Sequence, residues 1–255
     1  MEDNFVTPMV PCFVINLDRS QQRMVNMTSQ FSTQSIDFER ISAVDGASIS
    51  EDVIARYYSL SSPLKYHKQL NKGEICCYLS HRKVWQKMVD EQIPQAIILE
   101  DDVDIVGDLS AVADTLPSMV DDWDYIKLAE HTRRRGVVHS ESVNPFTRVI
   151  YDKIPARTCA QAVSLSGARK LLAASEKIYR PIDIDLQYWW EKDLNIFGLQ
   201  PYPVKPKDDA PSEIDKVKQR HKTQKNTWLK VRQQAAFLIN NAKHVKARLA
   251  TLNKK

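Results

Sequence analysis

One stretch constrains this chain more than any other: "QAIILEDDVDI", running from Gln95 to Ile105. The apolar run "AIIL" follows Pro94 without any polar alternation, so as a strand it must be covered on both faces. Strands of that kind lie in the middle of an α/β sheet, with helices packed on either side. The run then stops at three consecutive carboxylates, Glu100, Asp101 and Asp102. Like charges this close repel one another unless a cation or strong donors hold them. Asp and Glu are hard oxygen ligands suited to Mn²⁺ or Mg²⁺. In open α/β sheets ligands bind just past the carboxyl ends of the strands. A solvent-facing acidic turn is the plain alternative, but such turns seldom follow so clean a buried run.

The flanking segments supply the rest of the sheet. "MVPCFVINL" reads as a buried strand, and Ser20 stands where it can cap the helix "QQRMVNMTSQF". "FERISAV" alternates like a second strand and stops at Asp45-Gly46. "GEICCYLSHRKVWQKMVDEQ" carries Ile75, Leu79, Trp85, Met88 and Val89 at helical spacing. "WDYIKL" and "CAQAVSL" read as further strands, the latter followed by the helix "SGARKLLAAS". Strands alternating with helices predict an α/β fold with a mostly parallel central sheet. "RRRGVVHSESVN", from Arg133 to Asn144, reads as a polar, mobile loop.

Charge divides the chain in two. Residues 216–255 hold 12 Lys and Arg and no Asp or Glu, which leaves the first 215 residues with a balance of −8. We therefore expect an α/β domain over residues 1–215 and a basic helical tail over 216–255. In the tail, Trp228, Val231, Ala235, Leu238, Ile239, Ala242, Val245, Leu249 and Leu252 recur by threes and fours, as one helical stripe requires. A basic amphipathic helix suits an anionic membrane surface; a terminal helix packed on the domain is the alternative. Having only Trp228 and Phe237 as aromatics, the tail lacks a stacking platform, and the acidic domain would repel nucleic acid, so no nucleic-acid partner is expected. No apolar run approaches the roughly 18 residues of a membrane span, and "MEDNFVTPMV" is not a secretory pattern. Cys12, Cys76, Cys77 and Cys159 show no CxxC spacing and read as reduced, packed thiols, which favours the cytoplasm.

Individual residues carry two readings each. Asp45 is either a turn residue or an acceptor for the imide N–H of uracil. Arg19 and Arg23 are surface arginines or phosphate ligands. Glu74, Ser80 and His81 share one helix, with His81 about two turns after Glu74; a lone helical His is more often a buried, hydrogen-bonded group than a catalyst. Asp183 and Asp185 follow Pro181, where carboxylates cap helices but where one could also serve as a general base. HExxH, GxSxG, GxGxxG and GxxxxGK[ST] are all absent.

Seven segments, "VINLDRSQQR", "RISAVDG", "LNKGEICCYLSHRKVW", "AIILEDDV", "YIKL", "SGARKLL" and "RPIDID", resemble glycosyltransferase family 25, the lipooligosaccharide galactosyltransferase type, in order and over roughly residues 10–190. The resemblance implies a GT-A-like nucleotide-binding fold and inverting, metal-dependent transfer of a hexose, typically galactose from UDP-galactose. The acceptor it implies is a sugar hydroxyl of a growing glycolipid oligosaccharide, lipooligosaccharide or lipopolysaccharide, on the inner face of the bacterial cytoplasmic membrane. It implies Asp102 and Glu100 as the holders of Mn²⁺ (or Mg²⁺), and Asn16, Leu17, Arg23, Val44, Asp45 and Asp101 near the nucleotide. Asp183 is implied as the base, with Glu130 second and Asp185 less favoured. Glu74, Ser80, His81 and Lys127 match the motifs without an assigned step. Arg157 stands where the family has glycine, and Gln161 near an expected aromatic, which leaves galactose less determined than the reaction type. A non-catalytic membrane- or polyanion-binding module with a degenerate nucleotide site is the alternative. A nucleotidyltransferase is disfavoured, because "NLDRSQQR" has no glycine-rich loop.

Overall fold

The computed structural model describes residues 10–59, 66–119, 122–129, 134–207 and 226–252. An eight-stranded sheet forms its centre. It is built from β1 (Cys12–Asn16), β2 (Glu39–Ser42), β3 (Gln95–Glu100), β5 (Tyr125–Lys127), β6 (Val137–Val143), β7 (Phe146–Tyr151), β8 (Ala160–Ser164) and β9 (Ile196–Gln200). Their order is β2-β1-β3-β8-β5-β9-β7-β6, and β4 (Val103–Ile105) pairs separately with β10 (Val204–Pro206). From the pairings, six of the eight strands run one way and only β8 and β7 run against them. This is the α/β class with a mostly parallel sheet that the sequence predicted.

Alternation of side chains builds a core on each face. Phe13, Ile15, Ala96 and Ile98 meet α3 (Lys72–Asp90) through Trp85 and Met88. Val14, Ile97 and Leu99 join Met27 and Phe31 of α1 (Gln21–Gln34) and Val112 of α4 (Leu109–Thr115) on the other face. Ile97, Ile98 and Leu99 are fully buried, and each contributes about 1.5–3 kcal/mol by leaving water. Gly167, in α5 (Leu165–Ala174), is required by close packing: a Cβ there would be driven into the Asp124 backbone carbonyl.

Three local expectations change. Ser20 sits at the N-terminus of α1, but its side chain makes no capping bond; its N–H donates to Leu17 O at 2.8 Å instead. The stretch read as a polar, mobile loop contains β6, an edge strand whose polar residues face solvent while its backbone pairs with β7; a one-sided edge needs no apolar alternation to form. The C-terminal helix α7 (Thr227–Leu252) lies on the domain through a face that shares only the end of the predicted stripe, where Val245 and Leu252 pack against the core. Phe237 and Asn241 are buried, Asn241 Nδ2 donates to Asp152 O at 2.6 Å, Arg248 donates to Ile196 O at 2.8 Å, and His244 stacks on Trp190. Trp228, Val231, Leu238 and Ile239 remain 61–75% exposed. Among the described residues no helix is long and apolar enough to cross a membrane. Two short helices, α2 (Glu51–Tyr57) and α6 (Ile182–Gln187), complete the elements used below.

Candidate functional site

Parallel pairing decides where the carboxylates go. β3 lies beside β1, with Ile15 opposite Glu100, and β2 lies on β1's other side. The three strands therefore end at one edge, and "NLDR", "AVDG" and "EDD" meet there. The antiparallel β8 begins at the same edge, so the segment Arg157–Cys159 that leads into it crosses the carboxylates: Glu100 N–H donates to Cys159 O at 2.8 Å. A cleft opens over this edge, walled by Leu17, Arg19, Arg23, Val44, Gly46, Gly73, Cys76, Cys77, Ser80, His81 and the three acids.

The acids have different surroundings. Asp101 is held on both oxygens, by Asn16 Nδ2 at 2.6 Å and Arg23 at 2.9 Å. Asn16 is itself fixed by Arg40 Nε at 2.9 Å, behind the cleft wall. Glu100 Oε1 receives the Thr158 hydroxyl at 2.7 Å and lies 3.0 Å from His81 Nε2. Burial opposes its charge, but the His81 and Thr158 bonds, with Lys127 nearby, outweigh burial and hold the carboxyl below its usual range. Asp102 has the weakest support, Arg23 at 3.8 Å. Burial, then the Glu100 charge, push its carboxyl up to about 6 against the pull of Arg23, with Asp101 adding to the rise. The poorly compensated negative charge of Asp102, beside the ionised Glu100, is the condition a divalent cation relieves, and the oxygens of both fit a hard ion.

A chain of hydrogen bonds fixes the buried His81. Tyr125 Oη donates to Gln161 Oε1 at 2.5 Å, and Gln161 Nε2 donates to His81 Nδ1 at 3.1 Å. With Nδ1 accepting, Nε2 carries the proton and donates to Glu100. Ser80 ties the "AVDG" turn to α3, accepting from Val44 N at 2.8 Å while donating to Cys76 O at 2.7 Å. Glu74 does local work: with Asn71 it forms a capping box at the start of α3, and Lys68 donates to it at 2.6 Å. Asp45 accepts from Ala47 N at 2.8 Å and pairs with Arg19, whose guanidinium lowers its carboxyl pKa.

On the far side, β5 brings Lys127 to the same edge. Its ammonium is buried and donates to the carbonyls of Ala156, at 3.3 Å, and Arg157. Arg157 occupies the left-handed region, with φ of 68°, which explains why a glycine suits this position. Asp183, in the first turn of α6, accepts from the N–H groups of Ile184 and Arg157 and feels the charges of Lys127 and Glu100. Burial raises its pKa. Asp185 instead belongs to a buried network with Tyr78 Oη at 2.8 Å, Arg180 at 3.0 Å and Lys192 at 3.1 Å. Glu130 lies outside the described residues.

The structure thus brings together Leu17, Arg23, Val44, Ser80, His81, Glu100, Asp101, Asp102, Lys127 and Asp183. It keeps Asn16 behind the wall, Glu74 at a helix cap and Asp185 in the core. Sequence reasoning missed Thr158 and Cys77 as neighbours of Glu100, and Gln161 as the orienter of His81. The apolar run into "AQAVS" was the one signal that could have placed Thr158 and Gln161 beside the acids.

A family model, Glycosyltransferase family 25 (LPS biosynthesis protein), matches residues 9–186. The inactive glycosyltransferase 25 family member 3 of Mus musculus is 27% identical over 229 residues, covering 76% of this chain and 36% of that protein. The procollagen galactosyltransferase 2 of Homo sapiens is 26% identical over 219 residues, 76% of this chain and 34% of that protein. A glycosyltransferase 25 family member of Drosophila melanogaster is 28% identical over 198 residues, covering 75% and 32%. The chain spans about a third of the length of these curated relatives. Among solved structures, a glycosyltransferase involved in glycosylation of the major capsid of PBCV-1 overlaps with a TM-score of 0.34 at 9% identity, over 66% of this chain and 65% of that one, too distant to equate residues.

Proposed function

The chain belongs to glycosyltransferase family 25, and from that premise we propose that it is an inverting, metal-dependent hexosyltransferase that moves galactose from UDP-galactose to a sugar hydroxyl of a glycolipid-linked oligosaccharide. The observation that carries this reading is the meeting, at one sheet edge, of the Glu100–Asp102 carboxylate pair and a separate buried carboxylate, Asp183.

Glu100 and Asp102 are the residues that would hold Mn²⁺ or Mg²⁺. When bound, such an ion neutralises the donor's diphosphate and the charge growing on the departing UDP. Arg23 and Arg19 line the same cleft and supply fixed positive charge beside the phosphates. Leu17, Val44 and Gly46 offer an apolar wall for the base. Inversion takes one in-line displacement: the acceptor oxygen bonds to the sugar's anomeric carbon as the bond to the phosphate oxygen breaks. Asp183 accepts the acceptor's hydroxyl proton, and its raised pKa makes it a stronger base than an exposed carboxylate. Lys127 and Arg157 hold this base in place: Lys127 donates to the Arg157 carbonyl, and the Arg157 N–H donates to Asp183. A groove lined by Tyr66, Tyr188, Gln187, Gln233 and Phe237 opens beside Ile184, next to Asp183, and suits the acceptor's sugar rings.

The outer side of α7 supports the membrane partner. Trp228, Val231, Leu238 and Ile239 are exposed, with Arg232, Lys243 and Lys246 also on exposed positions of the helix. The inner side is already used against the domain, so the exposed ridge is free to enter a lipid interface while the cations meet anionic headgroups. On this reading the enzyme works peripherally, on the cytoplasmic face of a membrane.

A thermal-shift panel of UDP-, GDP- and CMP-sugars, with and without Mn²⁺, tests the donor assignment. Ligand at 100 times its Kd adds about 2.7 kcal/mol, or roughly 5–11 °C for a chain of this size. Stabilisation by UDP-galactose that needs Mn²⁺ is expected; no shift with any nucleotide sugar overturns the proposal.

A further inference from the structure

Glu100 has a second set of neighbours that the transfer reaction does not use. Cys77 and His81 stand four residues apart on α3 and so share one helix face. With Glu100 they bring a thiol sulfur, an imidazole nitrogen and a carboxylate oxygen within 4.8 Å of one another. The geometry assigns to Cys77, His81 and Glu100 a site for a thiophilic divalent cation, of which Zn²⁺ is the commonest. It lies beside, and is chemically different from, the Glu100–Asp102 pair proposed for Mn²⁺.

Three observations carry this. The first is spacing. Donors on a tetrahedral zinc ion lie about 3.3–3.8 Å apart, given metal–ligand bonds of about 2.0–2.3 Å. His81 Nε2 and Glu100 Oε1 are already 3.0 Å apart, and small side-chain rotations bring the sulfur in. The second is donor chemistry: one sulfur, one nitrogen and one oxygen suit a borderline-soft ion, whereas Mn²⁺ and Mg²⁺ prefer oxygen throughout. The third is the surroundings. All three residues line the cleft, which leaves a fourth coordination position facing open space, and the other imidazole nitrogen has a partner in Gln161 at 3.1 Å.

Loading the site exchanges protons for the ion. The Cys77 thiol, whose pKa burial raises, gives its proton to solvent and binds as thiolate. The His81 proton moves from Nε2 to Nδ1, and the Gln161 amide turns so that its oxygen accepts it. Tyr125 Oη then accepts from the amide nitrogen. One proton is released for each ion bound. Because both cations would draw on the one Glu100 carboxylate and repel each other across it, a thiophilic cation is an inhibitor of the proposed transferase; that consequence rests on the transferase reading, while the site does not.

Co²⁺ titration of the full, EDTA-treated chain tests the site. A thiolate-to-cobalt charge-transfer band that saturates at about one equivalent, is displaced by Zn²⁺, disappears in Cys77→Ala and persists in Cys76→Ala is the expected result, with circular dichroism confirming that both variants fold. Absence of the band in the unaltered chain, its survival in Cys77→Ala, or its equal loss in Cys76→Ala overturns the proposal. Nucleotide-sugar binding in Mn²⁺ is measured in parallel: a cobalt band without it sinks the transferase reading alone, and nucleotide binding without a band sinks the cation site alone.

Discussion

Asp102→Asn should stabilise the metal-free protein at alkaline pH. Burial and the Glu100 charge raise the Asp102 carboxyl from its ordinary 3.8 to about 6. The folded chain therefore holds this proton more tightly than the unfolded chain does. The resulting stability is fully present below about pH 3.8 and is lost as pH rises through 6. A shift of roughly two units corresponds to about 3 kcal/mol, and water reaching the side chain, 30% exposed, reduces this to about 1–2 kcal/mol. Asparagine keeps the shape and removes the charge. EDTA-treated Asp102→Asn is expected to melt about 2–8 °C above the unaltered protein at pH 8, by differential scanning fluorimetry. The advantage should fall to about half at pH 5 and vanish near pH 3.5, while Mn²⁺ with UDP-galactose should reverse the order at pH 8. A variant that melts lower than the parent at pH 8 without metal, or whose advantage is the same at pH 5, refutes the electrostatic reasoning.

Other perturbations separate the roles assigned above. Asp183→Asn should reduce sugar transfer by about 10²–10⁴-fold while leaving nucleotide-sugar binding in Mn²⁺ unchanged; retained transfer would remove Asp183 as the base. Leu238→Glu with Ile239→Glu should abolish flotation on anionic liposomes with little change in melting temperature, since both side chains are exposed; equal flotation rejects the membrane surface of α7. Gly167→Ala should destabilise the fold by more than about 3 kcal/mol, because the new methyl meets the Asp124 backbone rather than a flexible side chain; a near-neutral melting temperature would show that α5 can shift.

Much of the architecture was legible because it depends on local pattern. The run "AIIL" had to be a doubly covered strand, and Ile97, Ile98 and Leu99 are indeed fully buried. The stop at Glu100 had to fall at a strand end, and β3 ends there. The edge strand β6 escaped notice because exposed polar residues pair through their backbones, a bond that leaves no mark on side-chain hydrophobicity. The tail's apolar stripe was real as a spacing, yet Phe237, Asn241, His244 and Arg248 bind the domain through aromatic and polar contacts that hydrophobic periodicity does not register.

The sequence by itself determined the class of sheet, the strand that carries the acids, and their mutual repulsion, since each follows from neighbours along the chain. Tertiary structure alone decided how the three acids differ. Asp101 is held by Asn16 and Arg23, Glu100 by His81 and Thr158, and Asp102 is left with a distant arginine. Those partners come from four segments up to 85 residues away, and a carboxylate's proton affinity depends on the charges and donors around it in space.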